Sequence, residues 1–343
     1  MLSKKYSRRR ALQVMGGMAG GLLIHACANG NRRTTQSASG EMQFKLGGVM
    51  WMGLTPMFIA QEQGFFEEEN LIVDFFGFDS TADFNEAFLA RELEACAPIG
   101  SEAITLATKG KDYRIVLVED MSVGGDGILA RNNIEGIEDF AGKEIAVERG
   151  TVSYFFLLEI LQDVGLSESD ISIVEASPSS AAAAYQKGNV EIAVTYAPYL
   201  NQANQQISDG RIIYDSSQKP TAITDLYAFE KRFIDNNPEA IEAFVRGIFK
   251  GIDFLEQNRQ EGIAIAAQRL QISPEQLEAD LEGIKLPDAQ TNLEMFSDSE
   301  SEIYLAGSLS SLAQLMLEEG EISQAPNMDN YIEPRFVEAV ANG

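Results

Sequence analysis

The chain has 343 residues, 45% of them hydrophobic and 23% charged, a globular balance with enough length for two cores. Its formal net charge is −26 although the segment before Cys27 holds five bases and no acid, so the remainder is more acidic still and unsuited to nucleic acid. The only histidine is His25 and the only cysteines are Cys27 and Cys96, which excludes a His/Cys zinc site, an internal disulfide in a processed chain and any Ser-His-Asp or Cys-His catalytic set.

Residues 1–26 read as a signal peptide. Basic Ser7-Arg8-Arg9-Arg10-Ala11-Leu12-Gln13 is followed by an uncharged apolar run that is short for a membrane span, and then by Ile24-His25-Ala26-Cys27. The basic stretch resembles the twin-arginine export motif, with Ala11 where Phe is usual; general secretory export remains the alternative. Ile24 to Cys27 resembles a bacterial lipobox with an unusual His25. That resemblance implies acylation of Cys27 and a lipoprotein anchored to the membrane; otherwise Cys27 is incidental to a nearby cleavage. Residues 27–42 are small and polar and read as a tether.

The folded part begins with alternating patterns. Residues 44–51 predict a strand, 56–63 a short helix with Pro56 in its first turn and Gly64 as its stop, and 71–78 a buried strand. Then come a helix over 81–92, a strand over 94–99, a helix from Ser101 and a strand over 113–118. The run from Val118 to Arg131 reads as a loop of Gly124, Gly125 and Gly127 with Asp120, Ser122 and Asp126. It either lines a pocket on the way into a strand that crosses between two lobes, or is a plain glycine-rich turn.

The pattern then restarts. Strands are predicted over 144–148, 171–175, 190–196, 211–215 and 225–229, with helices over 151–164, 179–186 and 198–206 between them. Such alternation means βαβ units and a mostly parallel sheet. No further strand is expected. Helices are read over 238–257, 262–270, 274–283, 301–319 and 334–341, the first with Ile241, Phe244, Val245, Ile248, Phe249 and Ile252 at helical spacing. The expected organisation is lobe 1 in two parts, residues 43–130 and a helical 229–343, around a lobe 2 of residues 131–228. Two crossing segments join them, and the cleft faces the carboxyl ends of the strands.

At this point the sequence resembles the substrate-binding proteins of bacterial ABC importers, in the nitrate/sulfonate/taurine and thiamine-pyrimidine-precursor group. The marks are Trp51 with Ala60 and Gly64-Phe65-Phe66, the run from Asp120 to Ile128, Asp139-Phe140-Ala141-Gly142-Lys143, Glu148-Arg149-Gly150-Thr151-Val152 and Thr195-Tyr196-Ala197-Pro198-Tyr199-Leu200. The resemblance covers residues 44 to about 335 and implies a type II periplasmic-binding-protein fold in the α/β class. It implies a monomer that captures a small solute and hands it to a membrane permease driven by an ATPase, without cofactor, metal or bond chemistry. Where many relatives have Trp-Glu-Pro, this chain has Tyr196-Ala197-Pro198, so a ligand contact through that Glu is absent. Enzymes that make the thiamine pyrimidine are also relatives, but they use a reactive histidine, and none follows His25 here. A sensor that docks on a membrane receptor has the same fold and stays open.

Candidate ligand contacts follow from this placement. Trp51 follows the first strand and either stacks on a planar solute or packs in the core. Asp79 follows the second strand, beside a Ser80 suited to capping the next helix. Ser101 and Thr151 open helices, where free N–H groups suit an acceptor, and Ser122 and Tyr196 supply hydroxyls. Asp120, Asp126, Glu148 and Asp225 stand at strand ends. Together these acids favour an ammonium, amidine or amino group over an inorganic anion. Arg131 and Arg149 are the basic candidates unless they pair with acids.

Overall fold

The computed structural model describes residues 41–342. The signal peptide, Cys27 and nearly all of the tether lie outside the described residues.

The strands are β1 (Met42–Val49), β2 (Leu71–Phe78), β3 (Ala95–Cys96), β4 (Tyr113–Ser122), β5 (Asp126–Arg131), β6 (Glu144–Val147), β7 (Ser172–Glu175), β8 (Ile192–Tyr196), β9 (Gly210–Asp215), β10 (Thr224–Glu230) and β11 (Ile284–Lys285). Helices α1 (Thr55–Glu62), α2 (Thr81–Leu89) and α3 (Gly100–Thr108) separate the first four strands. Helices α4 (Val152–Asp163), α5 (Pro178–Gln186) and α6 (Tyr199–Gln206) separate β6 to β9. After β10 come α7 (Lys231–Asn236), α8 (Pro238–Gln257), α9 (Arg259–Leu270), α10 (Pro274–Leu281), α11 (Ala289–Ser297), α12 (Leu305–Glu318) and α13 (Arg335–Ala341).

The strands form a sheet in the order β11-β4-β10-β3-β1-β2 and another in the order β7-β6-β8-β5-β9. The βαβ units make parallel pairs: β1 with β2 and β3, and β6 with β7 and β8. The expectation of mostly parallel sheets is corrected by the crossings. Strand β4 lies in the first sheet and β5, only a three-residue turn later, enters the second between β8 and β9, antiparallel to both. The chain returns through β9 to β10, which runs antiparallel to β3 and β4. A strand that arrives from the other sheet comes in from the opposite end, so its direction is reversed.

Other corrections are local. The strand expected over 94–99 is only Ala95–Cys96, because Pro98 cannot donate to a ladder. The short β11 was not expected; its two residues extend β4 at its end, beside Met121 and Ser122. Helices α7 and α11 were also missed. Both are short, and the second begins behind a cap in which Asp288 accepts from the Thr291 N–H.

The helical tail packs on the first sheet. Helix α8 buries Ile241, Phe244, Val245, Ile248, Phe249 and Ile252, and Phe244 sits among Phe44, Phe66, Tyr227 and Phe229 with ring centroids 5.0–5.8 Å away. Helix α12 packs against both α3 and α4. Nothing in the described residues is a helix long and apolar enough to cross a membrane.

The crossing is held by its glycines rather than opened by them. Gly124 takes φ +109°, and a Cβ on Gly125 would stand 2.8 Å from the carbonyl oxygen of Gly283. That carbonyl accepts from the N–H groups of Val123 and Gly125, while Gly124 N–H donates to Ser216 Oγ. Here close backbone approach is what excludes a side chain.

Candidate functional site

Between the two sheets lies a cavity of about 710 Å³. It is walled by the connections that follow β1, β2, β3, β6 and β8, by residues of β4, β5 and β10, and by Leu270, Ile272 and Asp280 from the helical tail. Part of the wall is aromatic. The Trp51 and Tyr196 rings meet edge to face with centroids 6.5 Å apart, and Tyr199 stands 6.1 Å beyond Tyr196. Tyr196 closes β8 and Tyr199 opens α6, so the short Tyr-Ala-Pro-Tyr run presents both rings to the same space.

Acids stand among the rings, Asp126 facing Tyr196 across the strand pair. Asp79, Glu102, Glu119, Asp126, Glu148, Asp225 and Asp280 all line the cavity, and no Lys, Arg or His does. A register shift explains how several of them meet. Asp225 of β10 faces Asp120 of β4, but the next residue, Leu226, faces Val118, so Glu119 is an extra residue in a β-bulge. Ordinary alternation sends neighbouring side chains to opposite faces; a bulge cancels it and re-aims a side chain. Glu119 and Asp120 accordingly converge. A Cβ on Gly53 would stand 1.8 Å from Asp120 Oδ2 and 2.9 Å from Glu119 Oε1, so the glycine is what admits both carboxyl groups.

These acids are hidden from water: Asp120 is 1% exposed, Glu119 4% and Asp126 5%. Burial disfavours the charged form. It pushes Asp120 up to about 7 although the Trp51 indole N–H donates to Oδ2 at 2.9 Å, and it pushes Asp126 up to about 6 although Ser122 Oγ donates to it at 2.8 Å. Burial and then the charge of Asp120 raise both Glu119 and Asp225 well above the carboxylate range. Glu119 Oε2 is buried with no hydrogen bond of ordinary geometry, as is the neighbouring Tyr227 hydroxyl, whose interaction with Glu119 offsets part of that rise.

Unfolded aspartate releases its proton near about pH 4, whereas folded Asp120 and Asp126 hold theirs to higher pH, so between those limits the native state binds more protons. The stability that Asp120 and Asp126 contribute to the empty protein is therefore expected to fall as pH rises from about 4 to about 7, read as the urea midpoint. Asp120→Asn should flatten part of that slope. An unchanged slope would remove Asp120 as its source.

The family model described as NMT1/THI5 like matches residues 51–262. The chain belongs to the NMT1/THI5-like family. The matched stretch carries the cavity wall from Trp51 to Asp225. Among curated family relatives, the taurine-binding periplasmic protein of Escherichia coli K12 is 27% identical over 198 residues, 56% of this chain and 60% of that protein. The match thus spans about three-fifths of that relative's length. The crystal structure of the periplasmic aliphatic sulphonate binding protein SsuA from Escherichia coli superposes with a TM-score of 0.71 at 20% identity, over 86% of this chain and 99% of that one. The desulfurization enzyme DSZB matches with a TM-score of 0.63 at 16% identity, over 87% and 99%. The fold is the type II periplasmic-binding-protein fold, and it also carries an enzyme.

In this NMT1/THI5-like chain, eight of the ten candidate contacts reach the cavity: Trp51, Asp79, Ser101, Asp126, Glu148, Thr151, Tyr196 and Asp225. Asp120 and Ser122 do not. They stand behind the wall, Asp120 under the Trp51 indole and Ser122 between Asp126 and Ser216 Oγ. Both lie on β4, which runs on to Ser122, so the expected loop is a strand and the glycines that follow serve the crossing. Ser80 caps α2 by accepting from the Asp83 N–H. Thr151 makes no cap; its hydroxyl donates to the Glu148 carbonyl at 2.7 Å. Arg131 pairs with Asp209 and Arg149 with Glu168, and neither lines the cavity.

Sequence reasoning missed Glu102, Glu119, Tyr199 and Asp280 on the wall. Tyr199 was legible as the second tyrosine of the Tyr-Ala-Pro-Tyr run. Glu119 was hidden by the bulge, and Asp280 comes from a helix whose packing no local pattern gives.

Proposed function

We propose that this chain is the exported, lipid-anchored solute-binding component of an ABC importer, capturing a small nitrogen-bearing organic solute with positive N–H charge. Family membership and the named periplasmic relatives support a solute-binding role outside the cytoplasm, and the Cys27 lipobox supports the anchor. The observation that carries the choice of solute is the cavity wall: seven carboxylates and no base. Relatives are named for taurine and aliphatic sulphonate. A sulfonate taken into this wall would find no base to pair with, whereas an ammonium, amidinium or guanidinium finds acceptors. Trp51 and Tyr196 would cover its planar or alkyl part.

Capture would need no bond chemistry. Lobe 1 (residues 43–130 and 229–343) and lobe 2 (131–228) would close about the two crossings, and the closed form would dock on the permease. The solute favours closure only through the contacts it makes in the closed state alone. Asp126 opens a crossing strand and lines the cavity, which suits a residue that couples the two.

The test is a thermal-shift panel of the purified protein with agmatine, n-butylamine, putrescine, thiamine pyrimidines, taurine, alkanesulfonates and nitrate. Ligand at about 100 times its Kd adds about 2.7 kcal/mol, a rise of roughly 5 °C for a protein of this size. Hits are expected among the nitrogen cations. Hits confined to sulfonates or nitrate would overturn the choice of solute.

A further inference from the structure

We propose that the cavity has an outer apolar subsite made by Met50, Tyr199 and Ile272, and that the solute is an amphiphile, with an N–H cation at one end and an extended alkyl or aryl group at the other. The inference rests on the solute reading above and adds a tail to the charged head.

The first observation is where apolar surface is left uncovered. Among the described residues four large apolar side chains are exposed, and three of them line this one cavity: Met50 at 44%, Ile272 at 37% and Tyr199 at 36%. Single exposed apolar side chains are ordinary, whereas apolar surface gathered at one place marks a ligand or interaction site. Local structure puts each of them there. Helix α6 buries Leu200 and Ala203, with Leu200 packed on Gly127, which leaves Tyr199 in its first turn on the cavity. Met50 lies on Gly77 of β2, its Sδ 3.4 Å from where a Cβ would stand, and methionine adapts its shape to what covers it. Helix α9 ends on Gln271 at φ +60°, and the Ile272 N–H donates to the Ala267 carbonyl at 3.1 Å. An apolar residue in that position commonly packs back on its own helix; Ile272 stands on the cavity instead.

The second observation is continuity with the head site. Asp126 faces Tyr196 across the β5–β8 pair, and the Tyr196 ring leads to the Tyr199 ring at 6.1 Å. Exposure rises along this path, from buried Asp126 through half-buried Tyr196 to exposed Tyr199. A cation held by Asp126 therefore has a ring-lined way outward, along which its carbons can cover apolar side chains that water now meets. The volume agrees. About 710 Å³ is the size of pocket that holds a drug-sized molecule, and a four-carbon amine would leave most of it to water.

The test is calorimetry of the full purified protein with primary alkylamines from n-butylamine to n-octylamine. Affinity is expected to rise across the series by roughly 15- to 200-fold, the range for half to full burial of each added methylene. Tyr199→Ser combined with Ile272→Ser should remove most of that rise. Tyr199→Phe should keep it, because the subsite uses the ring and not the hydroxyl. A partly unfolded variant weakens every amine in proportion and leaves the rise intact, so the ratio of affinities separates the subsite from folding.

Equal affinity for n-butylamine and n-octylamine in the parent overturns the outer subsite while the solute reading stands. A rise that the double variant keeps in full overturns the assignment to these side chains. If the amines are silent and alkanesulfonates of the same lengths show the rise, the charge reading fails and the apolar subsite stands. If both series are silent, both fail.

Discussion

Asp126→Ala is expected to weaken binding of an N–H cation by roughly 10- to 150-fold, from the 1.5–3 kcal/mol of a hydrogen bond to a charged group. Asp126 stands at the start of β5, where the chain enters the second sheet, with its carboxyl group on the cavity and held by Ser122 Oγ. Removing it takes away both an acceptor and the link between solute and crossing. The fold should survive, because the backbone of β5 keeps its ladders to β8 and β9 and the buried acid was itself a burden. A melting point equal to or above that of the parent, with the affinity lost, is the expected pair of readings by calorimetry and thermal unfolding. Unchanged affinity would remove Asp126 from the site.

Phe44→Ala should have the largest effect on stability. Phe44 is 1% exposed on β1, and its ring meets Phe229 at 5.0 Å, Phe244 at 5.5 Å and Phe233 at 5.8 Å, all close to edge-on. It therefore ties a strand of the first βαβ unit to the returning β10 and to the helices α7 and α8. Deleting a buried aromatic ring costs about 3–5 kcal/mol, since the surrounding rings cannot collapse fully into the void. The loss should appear in the urea midpoint with the slope unchanged. Less than about 1 kcal/mol would mean that the tail does not rely on this contact.

The elements were legible where local chemistry decides them. Leu71–Phe78 is a near-continuous apolar run, and Pro238–Gln257 has one apolar face, so periodicity found both. Strand direction was not legible, because β5 and β10 take theirs from the crossing and not from their own residues. The site divides in the same way. Acids and aromatics next to strand ends, such as Asp126, Glu148 and Tyr196, could be picked out because the ends of strands in such folds face the cleft. Asp120 was placed in the cavity and Glu119 was left out because alternation is the default, and only the pairing with β10 discloses the bulge between them. The glycines of the crossing fit either a pocket-lining loop or a plain turn when read from the sequence. They make room for Gly283, a contact across almost half the chain that no local window contains.

The central claim is that the cavity takes positive N–H charge. The most direct measurement is calorimetry of the purified protein at neutral pH with matched ligands that differ in charge, n-butylamine and butanesulfonate. Binding of the amine, with the sulfonate silent at the same concentration, is the predicted result. Binding of the sulfonate with the amine silent would contradict the account.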